Sequence, residues 1–334
     1  MAGCASPVTA DFYRGRSVLV TGGLGFIGST LARRLSVLGA DVHVVDGVIH
    51  DTGWNRFNLA DSDVRVHAAD VRDAYALKPL VRGRSVIFHC AGQVSHLDSM
   101  CAPFADLDAN CGTTLQLLES CKQHNPEATI VLAGTRQVYG RPQCLPVNET
   151  HRVNPTDING VHKAAAEFYA LVYHHAFGLP TTVLRLTNVY GPRQLIRHPR
   201  QGVLGWLIGQ AVQGHPLQLF GDGGQVRDMV YVDDAVDAFL RAGAEAACVG
   251  GVFNVGSDRA VTLKSFAHAL IEVVGHGQVE YVEWPADRQA IDVGSVVLDS
   301  SKFRYTTGWT QIVSLDDGLR ETVAYYRRHF SHYL

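Results

Sequence analysis

Residues 17–46 leave this chain few ways to fold. Ser17-Val18-Leu19-Val20-Thr21 is a short apolar, β-branched run. It is followed by Gly22-Gly23-Leu24-Gly25-Phe26-Ile27-Gly28, an apolar helical pattern, and a second run, Val42-His43-Val44-Val45-Asp46, that ends in an acid. Glycines at this spacing let the backbone turn tightly, approach a pyrophosphate and pack a helix close to a sheet. The helix start then offers free N–H groups and a positive dipole end to phosphates. Asp46 stands about 20 residues beyond the turn, where a carboxylate accepts hydrogen bonds from an adenosine ribose. A 2′-phosphate would be repelled there, so the stretch predicts NAD in preference to NADP.

With 334 residues, the chain has enough material for one large domain or two joined ones. A net charge of −3 gives no electrostatic reason to expect nucleic acid or an anionic membrane as partner. No apolar run approaches the ~18 residues of a membrane span, and Met1–Arg16 lacks the apolar centre of a secretion signal. The seven cysteines are odd in number and form no C-x-x-C pair. Reduced thiols in a cytoplasmic protein are therefore expected rather than a disulfide framework or a zinc site. The sixteen histidines match no metal-ligand spacing, so no metal is expected.

Strand-like runs at 17–21, 41–46, 64–67, 85–89, 129–133 and 181–186 alternate with helical patterns near 26–38, 73–82, 103–124 and 158–177. Continuous apolar strands such as Val86-Ile87-Phe88 belong in a parallel sheet covered on both faces. The reading is α/β: a Rossmann-type doubly wound parallel sheet. Beyond about residue 188, short strands (217–220, 252–255, 279–283) mix with helices near 202–213, 233–246, 262–274 and 314–329. These form a smaller mixed α/β substrate lobe. The expected division is 1–187 for the NAD-binding domain and 188–334 for a nucleotide-sugar-binding lobe, interleaved with the first and including about 230–256. The cleft should open at the carboxyl ends of the strands.

Taken with later motifs, the glycine turn resembles the extended short-chain dehydrogenase/reductase family, in its nucleotide-sugar epimerase and dehydratase branch. Thr21-Gly22-Gly23-Leu24-Gly25-Phe26-Ile27-Gly28 has the family's T-G-x-x-G-x-x-G form. Asp70-Val71 looks like the pair that meets adenine, and His89-Cys90-Ala91-Gly92 like the turn beneath the cofactor. Asn110 matches a structural asparagine, and Thr135-Arg136-Gln137-Val138-Tyr139-Gly140 the segment that carries the catalytic Ser or Thr, here Thr135. Leu184-Arg185-Leu186-Thr187-Asn188-Val189-Tyr190-Gly191-Pro192-Arg193 is distinctive of the nucleotide-sugar branch. The resemblance covers nearly the whole chain. It implies that Arg227 and Arg288 clamp the substrate pyrophosphate and that Asn188 donates to it. Planar guanidinium groups suit a dianionic pyrophosphate; their simpler role would be surface ion pairs. Family members also commonly pair through two long helices, which implies a homodimer through 103–124 and 158–177 with Leu107, Leu115, Leu118, Phe168 and Leu171.

One catalytic position departs from the family. Its active helix carries Tyr-x-x-x-Lys; here Asn159-Gly160-Val161-His162-Lys163 keeps the lysine but has Asn159 where the tyrosine is expected. Pro155, Gly160 and Ala164-Ala165-Ala166-Glu167 fix the register. Asparagine cannot ionise, so another group must take the sugar hydroxyl proton. Lys163, four residues along the same helix face, is one candidate base. His162, with a near-neutral intrinsic pKa, is another, unless it merely packs. Family 4,6-dehydratases place Asp-Glu after the catalytic threonine, where this chain has Arg136-Gln137, and Gln137 also weakens a decarboxylase reading. The remaining expectation is an NAD-dependent nucleotide-sugar C4 epimerase. An oxidoreductase or dehydratase that releases a keto sugar, and a lapsed NAD/nucleotide-sugar-binding protein, are the alternatives.

Overall fold

A computed structural model describes residues 11–48 and 53–333; Cys4 and most of Met1–Arg16 lie outside that range. Strand β1 (Ser17–Thr21) enters the glycine turn and helix α1 (Phe26–Val37). Next come β2 (Asp41–Asp46), β3 (Arg65–Ala68), α2 (Ala74–Val81), β4 (Val86–His89) and α3 (His96–Cys101). Helix α4 (Pro103–Leu107) continues through a π turn (Asp108–Gly112) into α5 (Thr113–His124), followed by β5 (Thr129–Thr135), α6 (Ile158–Phe177) and β6 (Thr181–Leu186). The rest comprises β7 (Asn188–Tyr190), α7 (Val203–Val212), β8 (Leu217–Phe220), β9 (Val226–Tyr231), α8 (Val232–Ala244) and β10 (Val252–Val255). It ends with β11 (Ala260–Thr262), α9 (Leu263–Val274), β12 (Val279–Val282), α10 (Ala286–Ile291), α11 (Ser301–Thr307) and α12 (Leu315–His329).

The large sheet runs β10-β6-β5-β4-β1-β2-β3, with every pairing parallel. Its two-residue period sorts the strands between two cores. Val18, Val20 and Phe88 meet Leu31 and Leu35 of α1 and Phe239 of α8 on one face. Leu19, Ile87 and Ile130 meet Leu117 and Leu118 of α5 and Tyr173 of α6 on the other. The chain therefore returns to the large sheet through α8 and β10. A smaller mixed sheet, β11-β9-β7, and the parallel pair β12-β8 pack against α7, α9 and α12 around Leu204, Ile208, Phe266, Leu270, Leu319 and Tyr326. Strands β7, β9 and β11 are not visible in the sequence rhythm. No helix among the described residues is long and apolar enough to cross a membrane.

The single helix expected over 103–124 is interrupted. At the π turn the Thr113 hydroxyl donates to Ala109 O (2.7 Å) and the Thr114 hydroxyl to Asn110 O (2.7 Å). Such side-chain bonds compete with the backbone ladder, and the wide turn inserts one extra residue. Asn110 is thereby buried behind the cleft floor.

Candidate active site

The order of strands reverses between β1 and β4, and a cleft of about 660 Å³ opens there at their carboxyl ends. Gly22, Gly25, Phe26, Ile27, Gly28, Asp46, Asp70, Val71 and Ala91 all line it. A Cβ at Gly28 would collide with the Gly22 carbonyl, so only glycine lets α1 sit this close to the turn. Gly25 caps α1 without a side-chain bond and leaves the first-turn N–H groups for an anion. Asp46 accepts from Leu24 N and Val48 N, both at 3.1 Å. Burial raises its pKa against those two donors. Asp70 is held by the Arg72 side chain (2.6–3.1 Å), which lowers its pKa.

The turn after β4 is anchored by a fully buried relay. Thr21 Oγ1 lies 2.7 Å from His89 Nδ1, and His89 Nε2 lies 3.1 Å from Thr114 Oγ1. Burial, reinforced by Lys163, pushes the His89 pKa down to about 3, so the imidazole is neutral. Beyond it, a Cβ built at Gly92 (φ +155°) would lie 2.6 Å from Asn110 Oδ1 and 2.7 Å from Lys163 Nζ. Asn110 Oδ1 is buried without a protein partner. A cradle that a Cβ would fill, an orphaned acceptor and an acid at the end of β2 together fit a nicotinamide dinucleotide. Asp46 would hold its adenosine ribose, the start of α1 its pyrophosphate, and Lys163 its nicotinamide ribose.

Thr135, Asn159 and Lys163 line the same cleft. Thr135 is the last residue of β5 and caps the following turn by accepting from Gln137 N (3.2 Å). Asn159, 2% exposed, spends both Nδ2 hydrogens on protein, with Gln93 O and Asp106 Oδ2 each at 2.9 Å. Its Oδ1 takes no part in those two bonds. Burial pushes the Lys163 ammonium below its ordinary 10.5, partly offset by the Asp106 carboxylate.

Asp106, which sequence reasoning missed, is the hub of this cluster. It lines the cleft and is 2% exposed. Besides Asn159 it accepts from Asn110 Nδ2 (3.0 Å) and lies 2.7 Å from His162 Nδ1. The signal was its position four residues before Asn110, the spacing of neighbours on one helix face. His162 is thus committed to Asp106 and does not line the cleft. Gln137 also turns to structure: its amide donates to Asp157 (2.8 Å), the cap of α6, which also accepts from Gly160 N and lies 3.1 Å from His96. Burial opposes the Asp157 charge, but these partners outweigh it and hold the pKa low.

The pyrophosphate candidates are more dispersed. Asn188, at the start of β7, lines the cleft with its Oδ1 buried and unpartnered. Arg227 lies on β9, two residues before Met229, the strand partner of Asn188. It is 6% exposed, donates to Val226 O (3.0 Å) and sits 3.7 Å from Asp292. Arg288, on α10, stacks its guanidinium 5.6 Å from the Phe220 ring. Neither arginine lines the cleft itself.

Comparison with known proteins agrees with this geometry. Residues 18–256 match the NAD dependent epimerase/dehydratase family. The UDP-glucose 4-epimerase of Mycolicibacterium smegmatis is 33% identical over 311 residues, which is 92% of this chain and 98% of that one. The UDP-glucose 4-epimerase of Thermotoga maritima, solved with UDP-glucose, superposes with a TM-score of 0.87 at 32% identity, covering 94% of this chain and 99% of that chain. The dTDP-glucose 4,6-dehydratase of Streptomyces venezuelae, solved with NAD, gives a TM-score of 0.86 at 29% identity over 94% and 98% of the two chains. A glycine cradle closed by Asp46, a Thr135–Lys163 pair on its floor and these matches along nine-tenths of its length make this chain a member of the NAD-dependent epimerase/dehydratase family.

Proposed function

We propose that this protein is a nucleoside-diphosphate-sugar epimerase that inverts carbon 4 through a transient 4-keto sugar, with Asn159 in the place of the usual tyrosine and Lys163 as base. The observation that carries this reading is the convergence of Thr135, Asn159 and Lys163 on the cleft that holds the dinucleotide cradle. The sugar hydroxyl is held by Thr135 Oγ1 and Asn159 Oδ1. Neutral Lys163 takes its proton. A bound NAD would supply reversible hydride-acceptor chemistry at the same carbon, so that the resulting ketone could be reduced on either face. Lys163 then gives the proton back, so atoms and charge balance over the cycle. Elimination of water across C5 and C6 lacks its acid and base, since Arg136 and Gln137 supply no carboxylate.

The test is proton NMR of the protein with NAD and a panel of uridine- and thymidine-diphosphate sugars. The expected result is a new anomeric signal from a C4 epimer. An accumulating keto sugar would replace the epimerase reading with an oxidoreductase. Line broadening without turnover would make the protein a nucleotide-sugar binder.

The same reading includes a homodimer. Val161, Phe168 and Val172 are each about half exposed on α6, at seven- and four-residue spacing, and Phe104 on α4 is 81% exposed. This stripe matches a helical partner face. Leu118, expected there, instead belongs to the sheet core. Sedimentation should give about twice the 36.3 kDa chain mass. The double variant F168D/V172D should sediment as a monomer; an unchanged mass would place the interface elsewhere.

A further inference from the structure

His96 lines the same cleft as Thr135, Asn159 and Lys163, yet the chemistry above gives it no task. It is the first residue of α3, and three contacts fasten its segment to the start of α6. Asn159 donates from Nδ2 to Gln93 O (2.9 Å) and from its backbone N to Ser99 Oγ (3.1 Å). Midway between those two residues, His96 Nδ1 is sealed from solvent and lies 3.1 Å from Asp157 Oδ2. The pair is at ion-pair distance without the alignment of a hydrogen bond, a looseness common in catalytic contacts before substrate binds. His96 thus stands beside Asn159 on the cleft wall, carried there by a different element.

Asp157 is well placed to back an imidazole. Its side chain is fully buried. Both oxygens are fixed, Oδ1 by Gly160 N (2.7 Å) and Oδ2 by the Gln137 amide (2.8 Å). The His96 side chain, by contrast, is 40% exposed. A carboxylate behind Nδ1 favours the tautomer with its hydrogen on that nitrogen. The Nε2 lone pair is then the proton acceptor, and the carboxylate stabilises the imidazolium that results. The reacting hydroxyl already has Thr135 and Lys163. A ketone at carbon 4, however, acidifies the C–H bonds on either side of it, and such a carbon acid needs a base of its own. We propose that His96, backed by Asp157, is that base, and that it exchanges the proton on a ring carbon next to the transient ketone. This rests on the nucleotide-sugar reading above. The C–H bond breaks, its proton goes to Nε2, and its electron pair forms an enolate whose charge lies on the ketone oxygen. The imidazolium then returns a proton to the same carbon, so nothing is oxidised or reduced in this step. In the interval the proton on Nε2 trades with water, because the side chain is open to solvent.

The experiment is turnover of UDP-glucose and its thymidine counterpart in deuterium oxide with added NAD, read by proton NMR. Carbon 4 receives hydride rather than solvent hydrogen, so it keeps its protium and serves as the internal reference. Wild type should lose the proton signal at carbon 3 or carbon 5, in recovered substrate and in product. His96→Gln should lower the ratio of exchange to inversion by about a hundredfold. Inversion at carbon 4 with full protium at both neighbours would overturn the inference. So would an unchanged ratio in the variant, since exchange would then belong to another group or to the ketone alone. If His96→Gln does not fold, Asp157→Asn keeps a side-chain acceptor for the helix cap but removes the charge behind Nδ1. It should lower the ratio by about tenfold or more, and full retention would count against the proposal. Absence of both inversion and keto sugar would instead remove the reading on which the inference rests.

Discussion

Lys163→Met is expected to lower turnover by about 10²–10⁴-fold, equivalent to roughly 3–5 kcal/mol of barrier. Nothing else on the cleft floor repeats its combination of position and chemistry. It lines the cleft with Thr135 and Asn159, carries no hydrogen bond to a carboxylate among the described residues, and is pulled toward the neutral form by burial. Lys163→Arg should fail nearly as badly, because a guanidinium does not deprotonate in this range. Both variants are to be assayed at saturating NAD, with bound dinucleotide quantified, so that weakened cofactor binding is separated from lost chemistry. Turnover within about fivefold of wild type would pass the base role to another group.

The pH profile carries the same prediction with a sign. A base must be neutral before it accepts a proton, so activity should rise with pH through the Lys163 pKa, at a point below its ordinary value of 10.5. Asp106 opposes the shift by stabilising the ammonium. Asp106→Asn should therefore move the rising limb to still lower pH, whereas a purely structural loss at Asp106 would reduce the rate without moving the limb.

Much of this arrangement was legible because its physics is local. A glycine turn between two apolar strands has few other uses, and strands 17–21, 41–46 and 181–186 fall at their expected positions because β-branched runs buried on both faces admit little choice. The parts that escaped depend on distant partners. The π turn at Asp108–Gly112 arises from threonine hydroxyls competing with the backbone, which an apolar period does not register. Strands β7 and β11 have three residues each and persist only because β9 runs between them. Asp106 carries no signature of its own in the sequence; only the approach of α6 brings Asn159 and His162 to the carboxylate that Asn110 also meets. Arg227, expected at the substrate, lies on β9 in a buried position beside Asp292, and sequence spacing says nothing about that neighbour.

The second large effect concerns how α6 is held at all. Asn159, Lys163 and Glu167 follow one another at four-residue intervals on one face of this helix. Glu167 fastens that face to β6. Its carboxylate receives Arg185 Nε at 2.9 Å and a second bond from Nη2, with both residues less than 5% exposed. Arg185 Nη1 continues to Tyr139 Oη (2.7 Å), which donates to Asn254 Oδ1 (2.7 Å) and so ties in β10. Glu167→Ala would leave the guanidinium buried without its counter-charge, and stability should fall by about 3–5 kcal/mol in urea denaturation. The double replacement Glu167→Met/Arg185→Met removes both charges and should recover most of that loss, because desolvating the pair offsets much of its attraction. Tyr139 keeps Asn254 as its acceptor in that variant. A single-variant loss below about 1 kcal/mol would mean that packing, not the ion pair, seats α6. The helix is also the carrier of the candidate base, so the double variant should refold with Lys163 back at the cleft and regain turnover along with stability. Stability without turnover would show that the ion pair sets the rotation of α6 rather than merely its attachment.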